Sequence, residues 1–284
     1  MTTLTRWNTP AHRIRSVRIG EHTLTYLPDG DVQLSPRGWL PESVSEDWTA
    51  SRCGALLDGE GFLAASIGGL LIEHDGRSML IDAGFGPRRW GAAQTHPVLG
   101  VLQGGSLADS LRRVGKDPSD LELIAFTHLH DDHFGWVFSA PGSPFQEARL
   151  VASEREWAWW HASSSVRRRG AAKDGDEIFP GVTAWVTPGH TPGHTSYVIS
   201  SGSRRLIAFG DVFHSAAQLD RPEWRVSMDM IPDEAVHTRK AVLDELSRTH
   251  TLAFGNHFSD VQFGRVPSRS EGLLWESIGS AEDA

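Results

Sequence analysis

The stretch Thr127-His128-Leu129-His130-Asp131-Asp132-His133 puts five residues able to ligate a metal into six consecutive positions. His128 and His130 are two apart, so on an extended backbone their imidazoles point to the same side. Asp132 and His133 follow at once, and a turn there aims them back at the same point. An apolar core has no use for such a crowd of imidazoles and carboxylates, and a solvated surface gains nothing from it. The cluster reads as a metal site. Just before it, Leu123-Ile124-Ala125-Phe126 reads as a short buried strand, and in layered α/β proteins functional side chains gather where strands end at a crevice.

Further along the chain, Thr187-Pro188-Gly189-His190-Thr191-Pro192-Gly193-His194-Thr195 contains two Pro-Gly pairs, which force tight turns and hold His190 in a rigid loop. Phe209-Gly210-Asp211 places a carboxylate at the end of an apolar strand, and Gly255-Asn256-His257 places an imidazole after another. Taken singly, each is weak, because a histidine after a strand is more often a hydrogen-bonded loop residue than a ligand. In this order behind the first cluster they complete a set able to hold two metal ions. His194 and His214 are further imidazoles nearby in sequence. His194 reads equally as a residue that orients a ligand and as a plain loop histidine.

The rest of the chain sets the frame. Net charge is −9, from 36 acids against 27 bases, which argues against nucleic acid as the main partner. Arg167-Arg168-Arg169 reads as a solvated loop. The single cysteine, Cys53, excludes an internal disulfide, fits a reducing cytoplasm and leaves metal ligation to histidine and carboxylate. Met1 to Ser16 lacks an apolar signal core, and no apolar run approaches the roughly 20 residues that span a bilayer. A cytoplasmic protein with no membrane partner is expected, and a homodimer is compatible with the composition.

Val17 to Leu27 reads as β-structure closed by a turn at Pro28-Asp29-Gly30-Asp31. Residues 35–61 read as a long ordered loop that must bury Trp39, Leu40 and Trp48. Leu70-Leu71-Ile72 and Met79-Leu80-Ile81 read as strands joined at Asp75-Gly76, and Asp82-Ala83-Gly84-Phe85-Gly86 as a glycine-rich bend. Leu107, Leu111 and Val114 mark an amphipathic helix closed by Gly115. Ser153 and Glu156 form a capping box that starts another helix. Strands follow at 182–187, 195–200 and 204–209, then a helix from Pro232 to Ser247 with Val236, Leu243 and Leu246 on one face, then a strand at Leu252-Ala253-Phe254. No linker interrupts this order, so residues 1–284 are read as one α/β domain with its core at about 17–266.

With these motifs in place, the chain resembles the metallo-β-lactamase fold superfamily. The H-x-H-x-D-H motif of that family is met by His128, His130, Asp132 and His133, and its remaining ligand positions by His190, Asp211 and His257. The resemblance implies an αββα sandwich with a binuclear centre at one edge. It assigns His128, His130 and His190 to one metal and Asp132, His133 and His257 to the other, with Asp211 and a hydroxide bridging them. Asp82 matches an aspartate that supports the site from behind. Thr127 to Trp136, Glu156-Trp157 and Asp211-Val212-Phe213-His214 look most like the branch of acyl-homoserine lactonases and organophosphate hydrolases of the methyl parathion hydrolase type. The lactonases have a tyrosine where this chain has His214; the organophosphate hydrolases have histidine there.

The expected function is a hydrolase with two divalent ions, zinc first among Zn, Mn, Fe and Co, whose bridging hydroxide attacks a small-molecule lactone or other carboxylic ester. Asp132 is the expected proton shuttle and His214 a substrate or proton-transfer residue. Phe134, Trp136, Phe213, Trp224 and Phe258 flank the ligands and are candidates for an apolar pocket. The alternatives are hydrolysis of an organophosphate triester or thioester, or a mononuclear iron oxidoreductase of the persulfide dioxygenase type, which metal stoichiometry would separate.

Overall fold

The structure, a computed structural model, describes residues 7–49, 53–138, 143–145, 147–160, 169–267 and 275–279. Among them, nine strands make one sheet: β1 (Arg15–Ile19), β2 (His22–Leu34), β3 (Leu63–His74), β4 (Arg77–Ile81), β5 (Arg89–Trp90), β6 (Leu99–Gln103), β7 (Leu123–Ala125), β8 (Arg149–Ser153) and β9 (Arg169–Ala172). Their order is β5-β6-β2-β3-β4-β7-β8-β9, with β1 paired to β2. The second sheet runs in chain order through β10 (Glu177–Phe179), β11 (Val182–Val186), β12 (Thr195–Ser201), β13 (Arg204–Ala208), β14 (Thr251–Phe254), β15 (Phe263–Arg265) and β16 (Glu276–Ser277). The helices are α1 (Pro36–Trp39), α2 (Ser45–Thr49), α3 (Leu107–Arg113), α4 (Asp131–Phe138), α5 (Glu154–Trp159), α6 (Ala217–Asp220) and α7 (Pro232–Leu246).

Both faces of the central strands are buried, which is why their sequences run apolar without alternation. Leu70, Ile72, Met79 and Ile81 meet Leu206, Ala208, Leu252 and Phe254 in the core between the sheets. Their neighbours Leu71, Leu80 and Ile124 face outward onto Leu107 and Leu111 of α3, Phe134 of α4 and Trp157 of α5. On the other side, Ile207 and Ala253 pack under Val242 and Leu246 of α7. Four layers result, helix, sheet, sheet, helix, as the resemblance implies. Each fully buried leucine or isoleucine contributes about 1.5–3 kcal/mol. No helix among the described residues is long and apolar enough to cross a membrane.

Several local expectations are corrected. The Pro28–Asp31 turn is a bulge inside β2, between Pro28 and Gly30, and the chain reverses earlier, at Gly20 (φ +55°). Pro28 has no N–H to give a ladder, and a bulge accommodates that. The bulge turns Asp29 inward to accept from the backbone N–H groups of Phe85, Gly86, Gly105 and Leu107 and from Trp136 Nε1. The loop at 35–61 contains α1 and α2, which bury Trp39 and Trp48. On α7 the buried face is Ala235, Thr238, Arg239, Val242 and Leu246, with Val236 and Leu243 only half-buried. An apolar pattern cannot find a face that has an arginine on it. Arg167 and Arg168 lie outside the described residues; Arg169 begins β9 rather than a loop, its guanidinium 5.3 Å from the Trp157 ring centre. The second sheet also continues past residue 266, through β16, where Trp275 is buried.

Candidate metal centre

Five strands from both sheets end at one edge. Asp82 follows β4, the 128–133 cluster follows β7, His190 follows β11, Asp211 follows β13 and His257 follows β14. β4 and β7 are parallel, as are β13 and β14, so their carboxyl ends open on the same side. α4 starts at Asp131, so a loop delivers His128 and His130 while the first helical turn returns Asp132 and His133.

The ligating atoms form two groups of three. His130 Nδ1 lies 3.0 Å from His128 Nε2 and 3.1 Å from His190 Nε2. His133 Nε2 lies 3.2 Å from His257 Nε2 and 3.7 Å from Asp132 Oδ2. Asp211 stands between the groups. Its Oδ2 is 3.6 Å from His128 Nε2 and 3.3 Å from His190 Nε2, and its Oδ1 is 3.2 Å from both His133 Nε2 and His257 Nε2. All seven predicted positions are thus brought together.

The surroundings fix which atoms face inward. His133 Nδ1 meets Asp82 Oδ2 at 2.9 Å, His190 Nδ1 meets Asp229 Oδ1 at 3.1 Å, and His257 Nδ1 meets the Ser66 carbonyl at 2.8 Å. Carboxylates and carbonyls only accept, so each Nδ1 carries a proton and each Nε2 faces the centre, where its lone pair becomes available to a cation once any proton on it leaves. Buried Asp211 Oδ1 makes no hydrogen bond. Lone pairs and a bare carboxylate oxygen around common points call for cations, since buried like-signed dipoles and charges are otherwise costly. Imidazole and carboxylate donors suit Zn, Mn, Fe or Co, so the residues present fit two divalent ions.

The electrostatics divide the site in the same way. Burial, reinforced by His190, pushes His130 down to about 3, and burial with neighbouring His133 puts His128 well below the usual imidazole range. At His133 burial also favours the neutral form, but Asp211, Asp82 and Asp132 outweigh it and push the pKa well above the ordinary value. His257 is raised in the same way, against burial, by Asp211 and Asp132. Burial works to raise Asp211, yet His133, His257, His214 and His128 hold it well below the carboxylate range.

His214 reaches the site: its Nε2 is 3.0 Å from Asp211 Oδ2, its ring stands edge-on to Trp39 at 5.0 Å, and its backbone N–H donates to Gln218 Oε1. Burial, opposed by Asp211, lowers it to about 4. His194 supports the site from behind instead. The Asp211 N–H donates to its Nε2 at 3.0 Å, and its Nδ1 faces Thr187 O at 3.1 Å. Gly210, at φ +54°, is needed there, because a Cβ would collide with His194 and Thr127. The glycine-rich bend holds Asp82 at φ +62°, costly for a non-glycine residue, where it accepts from Thr127 N and His133 Nδ1.

Sequence reasoning missed three buried residues around the centre. Glu156 does not close the expected capping box: Ser153 Oγ accepts from Glu156 N, but the carboxylate turns away. It accepts instead from Leu129 N (3.0 Å), Thr191 Oγ1 (2.7 Å) and Gly193 N (3.1 Å), so it ties the His128–His130 loop to the His190 loop. Its signal was there, misread as a cap. Asp229, behind His190, and Arg239, behind Asp229, had none.

A cleft of about 390 Å³ opens over His130, Asp132, His190, Asp211, His214 and His257. Its apolar walls include Trp39, Trp90, Trp159, Trp160, Leu99 and Met228. None of the rings predicted from proximity in sequence lines it. Phe134 packs beneath α5, Trp136 donates to Asp29, and Phe213, Trp224 and Phe258 are buried in core clusters. The wall comes from segments far away in sequence, which proximity to the ligands could not show.

A four-layer sandwich with a divided histidine and carboxylate centre at its strand ends defines a class of metal-dependent folds. The chain belongs to the metallo-β-lactamase superfamily, whose sequence profile matches residues 70–249. It is 28% identical over 209 residues to a probable metallo-hydrolase of Mycobacterium tuberculosis, covering 63% of this chain and 67% of that protein. It is 31% identical over 156 residues to the N-acyl homoserine lactonase AttM of Rhizobium radiobacter, covering 45% of this chain and 57% of that one. Among solved structures, AidC, a dizinc quorum-quenching lactonase, superposes with a TM-score of 0.79 at 22% identity over 95% of this chain and 98% of its own. The hydrolase AbOPH superposes equally well, 0.79 at 23% identity over 96% and 100%. At these identities the structural likeness bears on the fold.

Proposed function

We propose that this chain is a dinuclear metal-dependent hydrolase of small-molecule lactones or other carboxylic esters. The observation that carries the reading is Asp211, with one oxygen toward each trio of ligands. His128, His130 and His190 would hold one ion, and Asp132, His133 and His257 the other, with Asp211 shared. When bound, two divalent ions supply a water that ionises near neutral pH and an electrophile for the substrate oxygen. The chain supplies the rest. The tryptophan-lined cleft takes the apolar part of the substrate and keeps bulk water from the scissile bond. Asp132, with its side chain 22% exposed, borders the cleft and is placed to carry a proton to the leaving alkoxide. His214 lines the same cleft; with Asp211 engaged by metal, its Nε2–H would be released from that carboxylate to donate to the substrate carbonyl oxygen as negative charge grows there. The relatives named N-acyl homoserine lactonases support the lactone reading. A histidine at 214 keeps phosphotriesters as the second substrate class.

Reconstitution with Zn, Mn, Fe or Co, followed by elemental analysis and assay against lactones, aryl esters, phosphotriesters and thioesters, tests this. Two ions per chain and ester or lactone turnover lost on chelation are expected. A single redox-active iron per chain, with no hydrolysis, would replace this reading with the oxidoreductase one.

A further inference from the structure

Beyond the ligands themselves, α7 grips the site from behind. Asp229 has no exposed side-chain surface; its Oδ1 meets His190 Nδ1 at 3.1 Å, and its Oδ2 accepts from Val226 N at 3.1 Å and Arg239 Nη2 at 3.3 Å. Arg239, on the buried face of α7, donates in addition to Val212 O (2.8 Å), Pro222 O (3.1 Å) and Trp224 O (2.7 Å). One guanidinium therefore holds both the carboxylate behind His190 and the peptide next to Asp211. The same helix also touches the His190 loop directly at two points. Thr238 Oγ1 donates to Pro188 O at 2.6 Å, and Gly189, at φ +135°, lies so close that a Cβ there would overlap Ala235.

Burying an arginine costs several kcal/mol unless its donors are used, and the fork of five N–H groups is what lets one residue reach acceptors on two loops. A lysine ammonium in its place would keep the charge but could not span them. On the other side of the pair, a carboxylate behind a ligating imidazole fixes the proton on Nδ1 and strengthens the lone pair on Nε2.

We infer that Asp229 and Arg239 are positioning residues: Asp229 orients His190 and makes it a stronger ligand for its ion, and Arg239 locks that arrangement to the Asp211 loop. The inference rests on the proposed role of His190 as a ligand. Asp229→Asn keeps the shape and an acceptor for Nδ1–H, removes the charge and turns an NH₂ toward Val226 N and Arg239 Nη2. Zinc affinities are measured by chelator competition on the folded protein well below its melting temperature, and the cobalt-substituted protein gives a visible spectrum of each site. In Asp229→Asn, affinity for the ion held by His128, His130 and His190 should fall about 10–100-fold, the range typical for the partner of a metal-bound histidine, with the other ion changed by less than about twofold. Arg239→Lys should weaken the same ion at least about tenfold and alter its cobalt spectrum. A purely structural pair would lower the melting temperature and leave both affinities and the spectrum as in the wild type, which would overturn the inference. Wild-type protein that binds no metal would instead overturn the reading of the site.

Discussion

At the scale of single residues, Asp211 is the group whose loss the site tolerates least. Among the described residues it has one oxygen toward each trio, so under the dinuclear reading Asp211→Ala would leave two cations with no shared anion between them. A rate loss of at least about 10³-fold is expected, at the upper part of the 10²–10⁴ range of an acid–base residue, together with fewer than two ions retained; a variant with both ions and most of its activity would refute the shared role. His214→Ala should act differently. Loss of one oxyanion donor lowers kcat about 10²–10³-fold, and elemental analysis should still find both ions. Unchanged kinetics with a lower melting temperature would reduce His214 to a brace held by Gln218. The seven candidate ligand positions were legible because imidazoles and carboxylates crowd where apolar strands stop. Asp229 and Arg239 were not, because an acid in a loop and an arginine on a helix have many commoner uses, and only the fold shows that these two are buried behind His190.

Among the elements, the short strands around the site were read to within a residue or so, since runs such as Leu123 to Phe126 are buried on both faces. The bulge in β2 and the inner face of α7 were misread for one reason: each buries a charged residue, Asp29 or Arg239, that a hydrophobic pattern assigns to solvent. Glu156 at the start of α5 is a third case, and it supports a prediction. Its two oxygens accept from three donors, Leu129 N, Thr191 Oγ1 and Gly193 N. In Glu156→Gln the amide NH₂ must face at least one of those donors, at a cost of about 1–3 kcal/mol for the polar group left unsatisfied. Chemical denaturation should show that loss, and metal should leave faster because the His128–His130 and His190 loops are no longer tied. A variant of wild-type stability and metal retention would remove Glu156 from the site's support.

For the whole molecule, charge around the centre predicts how the metal-free protein responds to pH. His133 is raised above its ordinary value: burial pulls it down, but Asp211, Asp82 and Asp132 prevail. A raised histidine stabilises fully below its unfolded pKa, about 6.5, and that stability is lost as pH rises through the folded value. Asp211 is depressed, against burial, by His133 and its neighbours, so its contribution is present above about 3.9 and is lost as pH falls through the folded value. His128, His130 and His214, which burial holds below the ordinary value, cost stability as pH drops below about 6.5. The chelated protein should therefore melt highest at about pH 6.5 and lose stability both as the solution becomes acidic and as it becomes alkaline. Zinc should abolish the alkaline loss by taking the place of the His133 proton. A melting temperature of the chelated protein that climbs steadily from pH 6 to 9 would contradict the charge balance (pH values being roughly the range over which histidine titrates).

The spread of the candidate ligands along the chain, from His128 after β7 to His257 after β14, bears on how the protein is made. No half of the ribosomal product holds a complete trio, since the first needs His190 from the β11–β12 loop and the second needs His257. With Asp211 counted in both sets, strands of both sheets must be synthesised and docked before either candidate set of donors is complete. Metal loading at this site would then follow the docking of the two sheets, and the supply of ions at that moment would select the occupant. Protein expressed under different metal supplies should carry different ions in the same fold.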